Sequence, residues 1–313
     1  MIWQTAFQKA VSGKIMLDAP MSRHTSMGVG GMCDVLFMPE SIEDLCAALI
    51  FLKENEISYY TLGHGTNIIV RDGGIRGVVI KMQGGIKCAE CTARCAEAGM
   101  NELEAIDDRV RVGAGISLMG LIRNLSHRNI CGLEELSGIP GTVGGAVWMN
   151  AGAFGMYIAQ RIIVVTTVDE NGRIKKYAAA DCCFAYRTSI FQQLPREIIV
   201  EAELQMNDEK KELIDEKMRE VLEKRREKHP QGTRSAGSAF KNPPGMSAGK
   251  LIEDAGLKGY RCGGAMVSEK HANFIINTGG ATCDQILELI GIVRDGVESK
   301  FGVTLELEVQ VIP

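Results

Sequence analysis

The sequence predicts an α+β protein of two or three domains, a number its 313 residues allow. Three observations predict it. From Ile57 to Gln205 strand signals dominate, with a helical pattern after Ser117. Near Asn207 the character changes to a long charged helix followed by mixed helix and strand signals. Between these lies Leu136–Gly155, reading LSGIPGTVGGAVWMNAGAFG, with glycine at 138, 141, 144, 145, 152 and 155.

In order along the chain, residues 1–20 read as an irregular or helical lead-in. Ser41-Ile42-Glu43-Asp44 has the form of a capping box. Leu45, Ala48, Leu49 and Leu52 then recur on one helical face. Residues 57–62, 67–70 and 77–82 read as strands, with turns at Gly63-His64-Gly65-Thr66 and Asp72-Gly73-Gly74. That placement decides how the Gly63-His64-Gly65 triplet is read. A dinucleotide fingerprint needs its glycines on a turn from strand into helix. Here strand leads to strand, which excludes a Rossmann site and leaves a phosphate-cradling loop.

Residues 83–108 are polar, carry cysteines and show little periodicity. Residues 109–112 read as a strand, and Ser117 caps a helix reaching residue 128. Residues 161–167 and 173–178 flank Asn171-Gly172, a hairpin signal, and 198–205 is a further strand. From 208 to 228 the pattern is helical, acids early and Lys224, Arg225, Arg226 and Lys228 late, which suits the helix macrodipole. Most of that helix reads as a solvated face, its basic end as a candidate phosphate contact. His229-Pro230 stops it. Residues 247–255 form a short helix closed by Gly256, 274–277 a strand, 284–301 a helix and 303–312 a terminal strand. The domain division expected is 1–82, 83–206 and 207–313.

Composition excludes several classes. With 35 basic and 39 acidic side chains the net charge is −4, so there is no general attraction to nucleic acid or an anionic membrane. No apolar run approaches the ~20 residues that span a bilayer. The start, MIWQTAFQKAVSGK, lacks the order of a signal peptide, and a cytoplasmic location is expected. The ten cysteines then read as reduced thiols. Cys88, Cys91 and Cys95 are unevenly spaced and lack a nearby fourth ligand, so no metal is expected.

The glycine density of Leu136–Gly155 points to backbone turned through positive φ or pressed against a ligand, often a phosphate held by main-chain N–H groups. Val143, Ala146, Val147, Trp148 and Met149 argue against a solvated loop and for one packed under a flat, apolar ligand.

Six motifs in order carry a resemblance from about Arg23 to the C-terminus. They are Met27-Gly-Val-Gly-Gly31; Leu62-Gly-His-Gly-Thr-Asn67 with Arg76-Gly-Val-Val-Ile80; Gly138-Ile-Pro-Gly-Thr-Val-Gly-Gly145 with Met149-Asn-Ala-Gly152; Tyr186-Arg-Thr-Ser-Ile-Phe191; Gly237-Ser-Ala-Phe-Lys-Asn-Pro243; and Leu305-Glu-Leu-Glu-Val309. Through them the chain resembles the UDP-N-acetylenolpyruvoylglucosamine reductase (UDP-N-acetylmuramate dehydrogenase) family, in its shorter subclass. The resemblance implies an FAD-binding domain of the vanillyl-alcohol-oxidase type made of two α/β subdomains, residues 1–82 and 83–206. It implies a C-terminal α+β domain, 207–313, for the UDP-sugar. FAD, held non-covalently, is the implied cofactor and NADPH the co-substrate. UDP-N-acetylglucosamine enolpyruvate is the implied substrate, and a monomer the implied state.

The resemblance also assigns residues. Arg187, Ser238 and Glu308 are the expected catalytic set. Gly63, His64, Gly65, Thr66, Asn67, Gly138, Gly141, Thr142, Gly145, Ala146, Asn150 and Gly152 are expected to bind FAD. Tyr186, Lys241 and Asn242 are expected at the substrate, with Lys250, Lys270 and His271 as further candidates. Read without the family, Ser238 is a turn residue, Arg187 a stacked surface arginine and Glu308 a solvent-facing carboxylate alternating with Leu305 and Leu307. Two positions depart from the family pattern: His64, a residue type that carries covalent FAD in some flavin oxidases of this superfold, and Gln310.

Overall fold

The structure, a computed structural model, describes residues 2–84, 103–106 and 108–313. Cys88, Cys91 and Cys95 lie outside the described residues. The chain forms two compact units, each assembled from separated stretches. One comprises Met1–Leu17, Val35–His64 and Gly77–Glu223, the other Asp18–Asp34, Gly65–Arg76 and Lys224–Pro313.

The first unit contains a five-stranded antiparallel sheet in the order Ile174–Ala178, Ile162–Val168, Ile198–Gln205, Arg109–Gly113, Leu103–Ile106. The hairpin expected at Asn171-Gly172 sets its register, with Val168 opposite Ile174 and Val164 opposite Ala178. Asp169 Oδ1 makes the turn by accepting the N–H groups of Asn171 (2.9 Å) and Arg173 (3.0 Å). The helices Leu118–His127 and Val143–Trp148 contribute Leu121, Leu125, Val143 and Val147 to the core that holds Val110, Val112, Ala202 and Leu204 of the sheet. Ser117 caps the first of these, as expected.

A second core in this unit lies under the helix Ile42–Glu54. Ser41 Oγ accepts the Asp44 N–H at 3.0 Å, but the box is one-sided. The Asp44 carboxylate instead accepts the N–H groups of Ser12 (2.7 Å) and Glu40 (3.3 Å). Leu45, Leu49 and Leu52 pack with Val78 and Ile80 from a parallel pair, Tyr59 opposite Val78 through Leu62 opposite Lys81. The lead-in is a helix, Ile2–Ala10, whose Phe7 ring meets Phe37 edge-on at 5.4 Å. It continues into a strand, Lys14–Pro20, which periodicity did not show.

The second unit holds a four-stranded sheet in the order Arg234–Ser238, Phe274–Asn277, Ala265–Val267, Arg261–Cys262. The helix Cys283–Phe301 starts at a complete Thr282–Gln285 capping box and ends at Gly302 in the left-handed region. Its Ile286, Leu289 and Val293 share a core with Phe240, Ile252, Val267 and Ile275. Two expectations need correcting. The charged helix starts at Lys211, because Asn207 and Asp208 pair with Cys131 and Ile130. The terminal strand is only Gln310–Ile312, parallel to Ile68–Val70. Upstream of it the alternation fails at Leu307-Glu308-Val309, and the chain bonds instead to the segment after Ser238.

Candidate active site

Leu136–Gly155 is not a loop throughout. Thr142 caps the helix Val143–Trp148, its Oγ1 accepting the Gly145 N–H at 3.3 Å. Val143, Ala146 and Val147 are buried in the protein's own core. That core accounts for their apolar character. Part of the main-chain N–H supply is used internally as well. Val143 donates to Ile116 O at 2.9 Å and Gly144 to Ala114 O at 2.8 Å.

Glycine is needed where chain presses on chain. A Cβ on Gly63 would stand 2.5 Å from Thr142 Oγ1, so the two glycine motifs touch there. A Cβ on Gly144 would stand 2.8 Å from that of Ala114, and one on Gly152 would run into the Tyr157 ring. Gly138 and Gly141 take φ of 80° and 135°. Their partners are Met119 Sδ, which accepts the Gly138 N–H at 3.4 Å, and the Leu118 N–H, which donates to Gly141 O at 3.0 Å. Gly138 and Gly145, which carry no side chain, are exposed on either side of the Thr142 helix cap, whose helix is fixed in the core. A pyrophosphate or a flavin ring can approach such backbone closely, so the residues expected to hold FAD here fit it. His64 keeps much of its surface open. Desolvation of its ring, with the Lys81 ammonium nearby, holds its pKa below the usual histidine value.

In the same unit, Ala185 and Thr188 exchange both main-chain hydrogen bonds, at 3.1 and 3.2 Å. They close a two-residue turn of Tyr186 and Arg187. Arg187 takes φ 55°, a left-handed conformation that costs a side-chain-bearing residue roughly 1–2 kcal/mol. The turn is tied to the end of the helix Val143–Trp148. Asn150 Nδ2 donates to Ala185 O at 2.9 Å while its Oδ1 accepts the Ala159 N–H at 3.3 Å. Asn150, expected at the cofactor, is 4% exposed, with its amide engaged within the chain. The Arg187 guanidinium carbon stands 5.3 Å from the centre of the half-exposed Tyr186 ring, a cation–π distance.

In the other unit, the main chain brings Ser238 and Glu308 together. Ser238 ends its strand just after a slip in register, where Gly237 takes φ 78°. This is a β-bulge, which re-aims the side chain that follows. The Glu308 N–H donates to Ala239 O at 2.9 Å, the Lys241 N–H donates to Glu306 O at 2.8 Å, and Phe240 bridges Leu307. Ser238 and Glu308 are both half-buried, so Glu308 is not the solvent-facing carboxylate that alternation suggested. Asn67 clamps Glu308 from behind, its Nδ2 donating to Glu308 O at 3.1 Å while its own carbonyl accepts the Gln310 N–H at 2.9 Å. Of the other turn residues, Gly65 accepts the Ser26 N–H at 2.9 Å, and Thr66 is half-buried.

The expected substrate residues have local partners too. Lys241 Nζ meets Glu306 Oε1 at 2.5 Å, and Asn242 Oδ1 accepts the Ala248 N–H at 3.0 Å. Lys250 pairs with Asp254 at 2.7 Å, and Lys270 Nζ donates to Arg226 O at 2.7 Å. His271 joins His229 and Phe274 in a three-ring cluster with centroids 5.1 to 5.4 Å apart. Burial, then the Arg225 guanidinium, pushes the His229 pKa down to about 4. Burial lowers that of His271 as well.

Sequence reasoning missed Asn273. Its side chain is buried, its Oδ1 accepts the Phe240 N–H at 3.0 Å, and its Nδ2 donates to Phe240 O at 2.8 Å. Its carbonyl accepts the Ala239 N–H at 2.8 Å. Three bonds thus fix the two residues after Ser238. The signal was an asparagine among Ala272, Phe274, Ile275 and Ile276, since a polar group in a buried strand must find partners. Among the described residues no group of three or more His, Cys, Asp or Glu side chains could hold a metal, and no helix is long and apolar enough to cross a membrane.

A family model described as an FAD binding domain matches residues 33–178, and one described as the C-terminal domain of UDP-N-acetylenolpyruvoylglucosamine reductase matches 229–312. Curated relatives named UDP-N-acetylenolpyruvoylglucosamine reductase include the protein of Carboxydothermus hydrogenoformans. It is 42% identical over 304 residues, covering 97% of this chain and 96% of the relative. The Bacillus subtilis relative is 38% identical over 300 residues, covering 96% and 94%. The crystal structure of the Thermus caldophilus reductase superposes with a TM-score of 0.76 at 35% identity, over 96% of this chain and 99% of that one. The α+β class, with an FAD-binding domain followed by a distinct C-terminal domain, is the one expected. The chain therefore belongs to the UDP-N-acetylenolpyruvoylglucosamine reductase family and is an FAD-binding oxidoreductase.

Proposed function

We propose that the chain reduces UDP-N-acetylglucosamine enolpyruvate to UDP-N-acetylmuramate, a peptidoglycan precursor, with NADPH as the electron source. The observation that carries this reading is the hydrogen bond from the Glu308 N–H to Ala239 O. It joins the main chain of half-buried Glu308 to the residue after the serine expected to deliver a proton, inside the segment matched by the reductase C-terminal model.

The chemistry supplied by bound FAD is hydride transfer, taken from NADPH and passed to the terminal carbon of the enolpyruvyl group. Gly63, His64, Gly65, Thr66 and Asn67, with Gly138, Gly141, Thr142, Gly145, Ala146, Asn150 and Gly152, hold the cofactor in this reading, non-covalently. As hydride reaches the terminal carbon, negative charge develops on the α-carbon and its carboxylate. Arg187 meets that carboxylate with a planar fork of donors, fixed in advance by its turn. Glu308 shares in stabilising the enol. Ser238 Oγ gives its proton to the α-carbon, so hydride and proton together saturate the double bond. Tyr186, Lys241 and Asn242 orient the substrate. The division 1–82, 83–206 and 207–313 assigns the first two parts to FAD and the third to the UDP-sugar. The protein works as a cytoplasmic monomer, without nucleic acid or membrane.

NADPH oxidation by the FAD-loaded protein should depend on added UDP-N-acetylglucosamine enolpyruvate. No turnover of that sugar would refute the reading. Acid precipitation should release all flavin into the supernatant. Flavin retained in the pellet would point instead to a bond at the exposed His64.

A further inference from the structure

We infer that Gln192 is a positioning residue for Arg187, holding the arginine's main chain in its left-handed conformation so that the guanidinium is aimed before substrate binds. The inference rests on the role proposed for Arg187.

The geometry is local, and the Gln192 amide nitrogen also stands 3.8 Å from Met149 Sδ. The Gln192 amide nitrogen has two hydrogens and two carbonyl partners, Arg187 O at 3.1 Å and Trp148 O at 3.0 Å. Its Oε1 accepts the Thr188 hydroxyl at 3.4 Å. One side chain therefore ties the strained residue, the residue after it and the end of the helix Val143–Trp148. The post is rigid for a reason in the sequence. Phe191, its neighbour, is 1% exposed and meets Tyr177 edge-on at 5.4 Å, so the core fixes the backbone that carries Gln192. Ser189 adds a second tie, its hydroxyl donating to Trp148 O at 2.7 Å.

The conformation being held is unfavourable. At φ 55° Arg187 sits where a β-carbon crowds the following carbonyl. Without the bond to its carbonyl oxygen the residue gains by relaxing to negative φ, which swings the Cα–Cβ direction. The guanidinium at the end of that lever then moves by an ångström or more, and a misplacement of about 1 Å can cost 10²-fold in rate. Gln192 touches no expected reacting atom, so its effect passes through Arg187.

The test is the enolpyruvyl half-reaction alone. The FAD-loaded enzyme is reduced anaerobically with dithionite and mixed with saturating UDP-N-acetylglucosamine enolpyruvate, and the return of flavin absorbance is timed. The parent, Gln192→Ala, Arg187→Ala and the double variant form a cycle. Gln192→Ala should be slower by about 10²-fold, with FAD retained and the double variant no slower than Arg187→Ala. A slow Arg187→Ala with Gln192→Ala at the parental rate overturns the inference and leaves the role of Arg187 standing. So does a double variant slowed by the product of the single effects, which would place Gln192's influence elsewhere. Arg187→Ala at the parental rate overturns both. If Gln192→Ala does not retain FAD, Gln192→Glu keeps the volume while setting a carboxylate against two carbonyl oxygens. It should be slow at pH 8 and regain rate as falling pH protonates it. A parental rate at every pH overturns the inference.

Discussion

Arg187 and Ser238 are held by different balances of main-chain and side-chain bonds. Arg187 sits on a two-residue turn in a strained conformation, and the ties from the helix end are side-chain amides, those of Asn150 and Gln192. Ser238 sits at the end of a strand, and the segment after it is held largely by main-chain bonds, to Glu308 on one side and Asn273 on the other. The first arrangement stores strain and, beyond the two main-chain bonds that close the turn, depends on a few replaceable groups. The second spreads its hold over backbone that substitution cannot remove, and its weak points are Asn273 and Gly237. Loss of a tie should therefore show as lost rate at the arginine and as lost stability at the serine.

The largest effect should come from Arg187→Ala, which removes the donor fork and should slow reoxidation of reduced flavin by the enolpyruvyl sugar by about 10²–10³-fold, timed under single turnover. Its thermal midpoint should hardly move, and a large drop would blur the contrast. Next comes Asn273→Leu. It leaves the Phe240 N–H and carbonyl buried without partners, at about 1–3 kcal/mol each, read as a lower midpoint in thermal or urea unfolding. Stability equal to the parent's would show that Asn273 is not the clamp described. Gly237→Ala forces a β-carbon into φ 78°, where the surroundings are open, so only the conformational cost of about 1 kcal/mol is expected. A much larger loss in chemical denaturation would mean that the bulge carries more than backbone strain.

A further effect concerns pH. His229 is held down to about 4 from an ordinary 6.5, chiefly by burial and then by Arg225, His271, Lys228 and Lys270. Between those values the unfolded chain takes up a proton that the folded chain refuses. Stability is therefore lost as pH falls from 6.5 towards 4. His229→Gln should flatten that part of the stability profile, followed by urea midpoint against pH. An unchanged slope would assign it to other groups.

Much of this was legible in the sequence, and the gaps have physical causes. Residues 198–205 and 274–277 are legible to the residue, as apolar-rich strand patterns with polar residues close at each end. Arg234–Ser238 was invisible as a strand, since Arg-Ser-Ala-Gly-Ser has neither β-branched nor aromatic content and carries a bulge. The alternation around Glu308 misled, because the chain there pairs through a single bridge. In Leu136–Gly155 the glycine density suggests a cradle for phosphate, yet Gly144 and Gly152 are needed for contacts within the chain. Composition reports that backbone comes close to something and does not say to what. The trio proposed as catalytic is singled out only by its motifs, whereas Gln192 and Asn273 bond to main-chain partners that no local pattern announces.

The most direct test of the proposed chemistry is an anaerobic titration of the parent and Ser238→Ala, followed at the flavin absorption bands. NADPH should bleach the flavin in both proteins. Adding UDP-N-acetylglucosamine enolpyruvate should restore the bands at once in the parent and at least about 10²-fold more slowly in Ser238→Ala, since only that step needs the proton. Equal slowing of bleaching and recovery, or full recovery in Ser238→Ala, would contradict the role given to Ser238.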